Sequence, residues 1–211
     1  MVSADIKIKS LALLMAELVL IASSAVWPEI HSDSYVPVVV YTILLCAGGY
    51  VLSNSQKWMA YYLAVSVIVV ITTYQGHWLT QVANIVSITI IYVMLFYQVV
   101  KHSFFKSNIS RVDQIISGIV GYLLLGLFWA LQYRWLDVLS DDGFLNTVTN
   151  KALDAADQVY FSFVTLTTLG YGEILPTSPI AKVLVLFTSV SGTLYLAVFI
   201  ACIIGSKGSK A

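Results

Sequence analysis

Six apolar runs, at residues 8–27, 36–53, 58–75, 79–100, 112–136 and 179–205, are nearly free of charge inside and dominate the chain. Crossing a bilayer takes about 20 such residues. In lipid every backbone N–H and C=O must find its partner within the segment, so runs of this kind become helices. A soluble domain of 211 residues needs a charged surface, and here charged residues make up only 10% against 59% hydrophobic. The expected fold class is therefore an all-α membrane protein with six transmembrane helices. Zero formal net charge gives nucleic acid nothing to bind. Cys46 and Cys202 both lie in apolar runs without a spacing motif and read as packing residues. No carboxylate pair stands beside a histidine, and there is no phosphate loop or metal spacing. Neither an enzyme nor a bound cofactor is expected.

Lys and Arg placement sets the orientation. With both termini cytoplasmic, Lys7, Lys9, Lys57, Lys101, Lys106, Arg111, Lys207 and Lys210 lie inside, eight of the eleven basic residues. The outer side then carries Glu29, Asp33, Asp137, Asp141, Asp142, Asp154, Asp157 and Glu173. A competing reading makes the first run a secretory signal, since Lys7 and Lys9 precede it and small residues close it. The six-span orientation also requires the segment between the last two runs to begin and end outside, as a re-entrant loop does.

That segment contains Tyr160-Phe161-Ser162-Phe163-Val164-Thr165-Leu166-Thr167, an apolar and aromatic stretch too short to span, with Asp157 as its expected N-cap. Thr168-Leu169-Gly170-Tyr171-Gly172 follow, then Glu173. Gly170 and Gly172 accept positive φ at little cost. Alternated with Leu169 and Tyr171, they let successive carbonyls point the same way. Four copies on one axis would stack rings of oxygens able to replace the hydration shell of potassium. The Thr168 hydroxyl supplies the innermost layer, and the negative end of the short helix favours a cation below it.

Thr168-Leu169-Gly170-Tyr171-Gly172 resembles the potassium-channel signature Thr-Val-Gly-Tyr-Gly. The wider stretch, through Leu194-Tyr195-Leu196-Ala197-Val198, resembles bacterial channels of the two-transmembrane pore superfamily with extra amino-terminal helices. The resemblance covers residues 110–205 and implies a homotetramer in a bacterial inner membrane, surrounded by lipid, that conducts K+ passively. On that reading residues 1–104 form a four-helix amino-terminal bundle and residues 105–211 the pore domain, an outer helix, a pore helix, the filter and an inner helix. Leu169 departs from the usual valine and Glu173, at the pore mouth, from the usual aspartate; neither change removes a coordinating carbonyl. Alternatives are a filter-bearing subunit of a potassium-uptake transporter and a non-conducting membrane protein that keeps the pore fold.

Gly192 matches the flexible glycine that this superfamily carries on its inner helix; close packing between helices is the other reading. With Gly192 facing the axis, Leu196, Ile200 and Ile204 share its face and form a candidate hydrophobic gate. Ala197 and Ala201 are then expected to pack against the outer helix. No Lys or Arg occurs from Leu79 to Val100, so the fourth run lacks the charges of a voltage sensor. Glu17, an acid at mid-membrane depth, is expected either to bond a neighbouring helix through Asn84 or a tyrosine, or to sense protons or ions. Ser110 with Asp113, and Ser178 before Pro179, read as helix starts.

Overall fold

The computed structural model describes residues 78–105, 110–139 and 143–205, with isolated helical positions at Leu11, Leu14, Met15, Glu17, Leu18, Val19, Ile21, Ala64 and Val67. In order these are α1 (Trp78–Phe105), α2 (Arg111–Leu139), β1 (Phe144–Asn146), α3 (Ala155–Leu166), β2 (Ile174–Pro176) and α4 (Pro179–Gly205). The runs at 79–100, 112–136 and 179–205 become α1, α2 and α4. The runs at 8–27, 36–53 and 58–75 lie outside the described residues apart from the isolated positions. Among the described residues, 111–137 and 179–205 are each long and apolar enough to cross a membrane.

Local chemistry sets the helix starts. The Ser110 hydroxyl accepts the Asp113 N–H at 3.2 Å and donates to the Asp113 carboxylate at 2.6 Å. The Ser178 hydroxyl accepts the Ala181 N–H at 3.1 Å. On α3 the cap is Asp154, not Asp157: its side chain accepts the Asp157 N–H at 2.8 Å. The two aspartates are one helical turn apart, and the helix begins at the earlier one. Asp157 is left to accept from Asn146 Nδ2 at 3.3 Å.

α1 packs along α2, with Ile91, Leu95 and Val99 buried against Val120, Leu124 and Leu127. Leu14 and Ile21 pack against this same cluster. A second cluster ties every remaining element together: Tyr133 of α2, Phe144 of β1, Phe161 of α3, Ile174 of β2 and Ala181 of α4. The rings of Tyr133, Phe144 and Phe161 meet with centroids 4.9 to 5.6 Å apart, close enough to add to area burial. Phe144 enters this cluster because β1 pairs antiparallel with β2, Phe144 opposite Pro176 and Asn146 opposite Ile174. In the sequence this stretch shows only scattered acids, Asp137, Asp141, Asp142, Asp154 and Asp157. Strands of three residues are too short to produce a period-2 signal.

Candidate functional site

α3 is a 12-residue helix that ends in the loop of interest. Ser162 Oγ donates to the Gly126 carbonyl at 2.6 Å and fixes α3 on α2. Tyr122 Oη donates to the Leu166 carbonyl at 3.2 Å. α4 is held to α2 by Trp129 Nε1 on Ser191 Oγ at 2.8 Å and Tyr133 Oη on Thr188 Oγ1 at 2.7 Å. The loop is thus carried by three helices that are bonded to one another near its base.

At the end of α3 the Thr168 N–H reaches the Thr165 carbonyl at 3.0 Å and the Leu169 N–H reaches the Val164 carbonyl at 2.9 Å. The backbone then alternates in hand. Gly170 and Gly172 have φ of 58° and 90°, as expected, and Thr168 joins them with φ 61°. Leu169 and Tyr171 are not among the positive-φ residues. Peptide planes that alternate in this way turn successive carbonyls towards one side. The Thr168 conformation escaped the sequence reading, because a β-branched residue rarely adopts it. Such a residue costs about 1–3 kcal/mol and persists only where its surroundings over-determine it. The two hydrogen bonds from the Thr168 and Leu169 N–H groups provide that constraint.

In the single chain Leu169 and Tyr171 are 58% and 68% exposed. Phe161 is buried in the Tyr133–Phe144 cluster, whereas Tyr171 is exposed. Tyr171 lies near Tyr160, whose hydroxyl is also close to the Glu173 side chain. The Glu173 carbonyl is also held: Thr147 donates to it through its backbone N–H and through Oγ1, each at 2.8 Å. Three of the outer acids have structural partners, since Asp154 caps α3, Asp157 receives Asn146 and Asp137 receives Gln158 Nε2.

On α4, Gly192 is buried, and a Cβ there would sit 2.5 Å from the Leu166 carbonyl oxygen. That geometry is the packing reading of this glycine. The face of α4 turned to α2 carries Thr188, Ser191, Tyr195 and Phe199, with Tyr195 Oη on the Gly118 carbonyl at 2.9 Å. Ala197 and Ala201 are exposed, contrary to expectation. The α2 surface has notches at Gly118 and Gly121, and the large rings of Phe199 and Tyr195 fill them where alanines would not. Leu196, Ile200 and Ile204 are exposed in the single chain. Glu17 is 1% exposed, and among the described residues neither carboxylate oxygen has a hydrogen-bond partner. It lies close enough to Tyr195 to act on that hydroxyl electrostatically. The Asn84 side chain, an expected partner of Glu17, lies outside the described residues.

Residues 115–205, from the first turns of α2 to the end of α4, match the family described as "Ion channel". Over 66 residues, 31% of this chain and 16% of the relative, the sequence is 44% identical to the Two pore potassium channel b of Oryza sativa subsp. japonica. The matched part is thus a small fraction of that relative's length. No solved structure matches the chain significantly. With two long apolar helices among its described residues, the chain is a mostly helical membrane protein whose carboxyl-terminal half is similar to ion channels.

Proposed function

We propose that this chain is one subunit of a homotetrameric, potassium-selective channel that conducts K+ passively. The observation that carries the reading is the alternation of backbone hand from Thr168 to Gly172, at the end of a short helix between two long apolar ones. One such strand cannot surround an ion, so four meet on an axis and their carbonyls replace the hydration shell. The similarity to a potassium channel supports the choice of ion. Six spans per subunit and cytoplasmic termini complete the arrangement. The exposed apolar surface of α4, from Ile180 through Phe187 and Leu194 to Ile204, is then covered by lipid and neighbouring subunits. With no basic residue from 79 to 100, the membrane-depth part of α1 carries no gating charge, and the channel is not strongly voltage-gated.

The test is K+ efflux from liposomes containing the purified protein, with Na+ as control and the mass of the particle measured in parallel. A tetramer that passes K+ and rejects Na+ is expected. A conducting monomer or dimer contradicts the assembly, and an intact tetramer without flux favours a non-conducting role.

The lower part of α4, below Gly192, forms the gate, with Leu196, Ile200 and Ile204 closing the cytoplasmic end by excluding water. Ile200→Ser or Ile204→Ser is expected to raise resting conductance about tenfold by wetting that ring. Ala201→Ser changes it little. Single-channel recording checks this, and equal, negligible effects of all three would place the gate elsewhere.

A further inference from the structure

Glu173 follows the last glycine of the loop directly, and its carbonyl is the next oxygen in line after the five from Thr168 to Gly172. It does not join them. Both of its lone pairs are occupied by one residue, through the Thr147 N–H and the Thr147 hydroxyl at 2.8 Å each. Thr147 is itself fixed from two sides. It follows Asn146, whose backbone pairs with Ile174 in the sheet and whose N–H reaches the Lys151 carbonyl at 3.2 Å. The Asn146 side chain closes the turn by accepting the Val148 and Thr149 N–H groups at 3.0 and 3.2 Å, and donates to Asp157 on α3 at 3.3 Å. The Glu173 side chain lies beside Tyr160, also on α3. Asp157 and Tyr160 are three residues apart and share a helix face. The contacts therefore form a circuit that leaves α3, crosses the β1 turn, grips the exit of the loop and returns to α3.

We propose that Thr147 is a positioning residue for ion selection, which ends the oxygen column at Gly172 by holding the Glu173 carbonyl out of the pore. This rests on the channel reading. A single backbone donor leaves the Glu173–Ile174 peptide free to rock about one bond. The second donor fixes its plane, and with it the direction of the Glu173 carbonyl, one residue beyond the Gly172 carbonyl that closes the column. Without the hydroxyl, the Glu173 oxygen competes for the ion with a flexible ligand that discriminates poorly by size.

Thr147→Val keeps the shape, the backbone donor and the strand preference but removes the hydroxyl; Thr147→Ser restores it. In the reconstituted full-length tetramer, Thr147→Val is expected to lower the K+ over Na+ flux ratio by about threefold to tenfold, the scale of one lost hydrogen bond. It should also speed amide hydrogen exchange at position 147 by a similar factor. The serine variant should match the wild type in both. An unchanged flux ratio and unchanged exchange in the valine variant would overturn the proposal, as would a serine variant as defective as the valine one. A wild-type tetramer that carries K+ and Na+ equally would strike the channel reading and the selective role of Thr147 with it. In that case the exchange data still report whether the hydroxyl holds the Glu173 carbonyl.

Discussion

Potassium flux through the Gly172→Ala protein is expected to fall at least about 100-fold, and through Gly170→Ala nearly as far, with the tetramer still assembled. The cost does not come from crowding, because a Cβ at either position meets no atom within 4 Å in the single chain. It comes from the backbone. An L-residue in the left-handed region costs about 1–2 kcal/mol, and four copies on one axis bring this to about 4–8 kcal/mol per ring. Gly172, at φ 90°, lies beyond the small basin that side-chain-bearing residues can enter, whereas Gly170, at 58°, lies within it. Gly172→Ala should therefore be the more severe of the two. Liposome flux with a parallel mass measurement checks the ranking. Wild-type flux and K+ preference in both variants would mean that these carbonyls are not the selecting groups.

Gly192→Ala should destabilise the subunit by about 1–3 kcal/mol, the cost of overpacking a well-filled contact. The atom in the way is the Leu166 carbonyl oxygen, 2.5 Å from the added carbon, with Leu166 side-chain carbons at 2.9 and 3.0 Å. That oxygen already accepts from Tyr122 Oη, so it cannot move aside without losing a bond. Leu166 is two residues before Thr168, and the strain therefore reaches the loop. A lower melting temperature and reduced K+ flux should appear together. Gly205→Ala, where a Cβ meets nothing within 4 Å, serves as the control and should leave both unchanged. A Gly192→Ala protein with wild-type melting and altered opening alone would make bending, and not packing, the reason for glycine there.

Several parts of this arrangement were legible in the sequence for identifiable reasons. Ser178-Pro179 supplied a cap and a first-turn residue, so the start of α4 followed from local chemistry. Gly170 and Gly172 announced their conformation because glycine alone takes positive φ without penalty. Thr168 did not, since its conformation is imposed by the hydrogen bonds that close α3. Asp154 and Asp157 are equally good caps in isolation, and only the tertiary position of α3 separates them. The face of α4 was misread because, apart from Lys182 and Tyr195, its side chains are apolar or small. Hydrophobicity does not orient such a helix; the notches at Gly118 and Gly121, on a different helix, do. The Thr147 contact joins residues 26 positions apart and the β1–β2 pairs lie 28 to 32 apart, beyond the reach of any local pattern.

The central claim is that carbonyls from Thr168 to Gly172 of four chains select potassium. The reversal potential of the purified protein in a planar bilayer, with K+ on one side and Na+ on the other, measures this most directly. A value displaced far towards the K+ equilibrium potential, and moving back towards zero in Gly172→Ala if any current survives, is the predicted result. A wild-type current that reverses near zero would contradict the account.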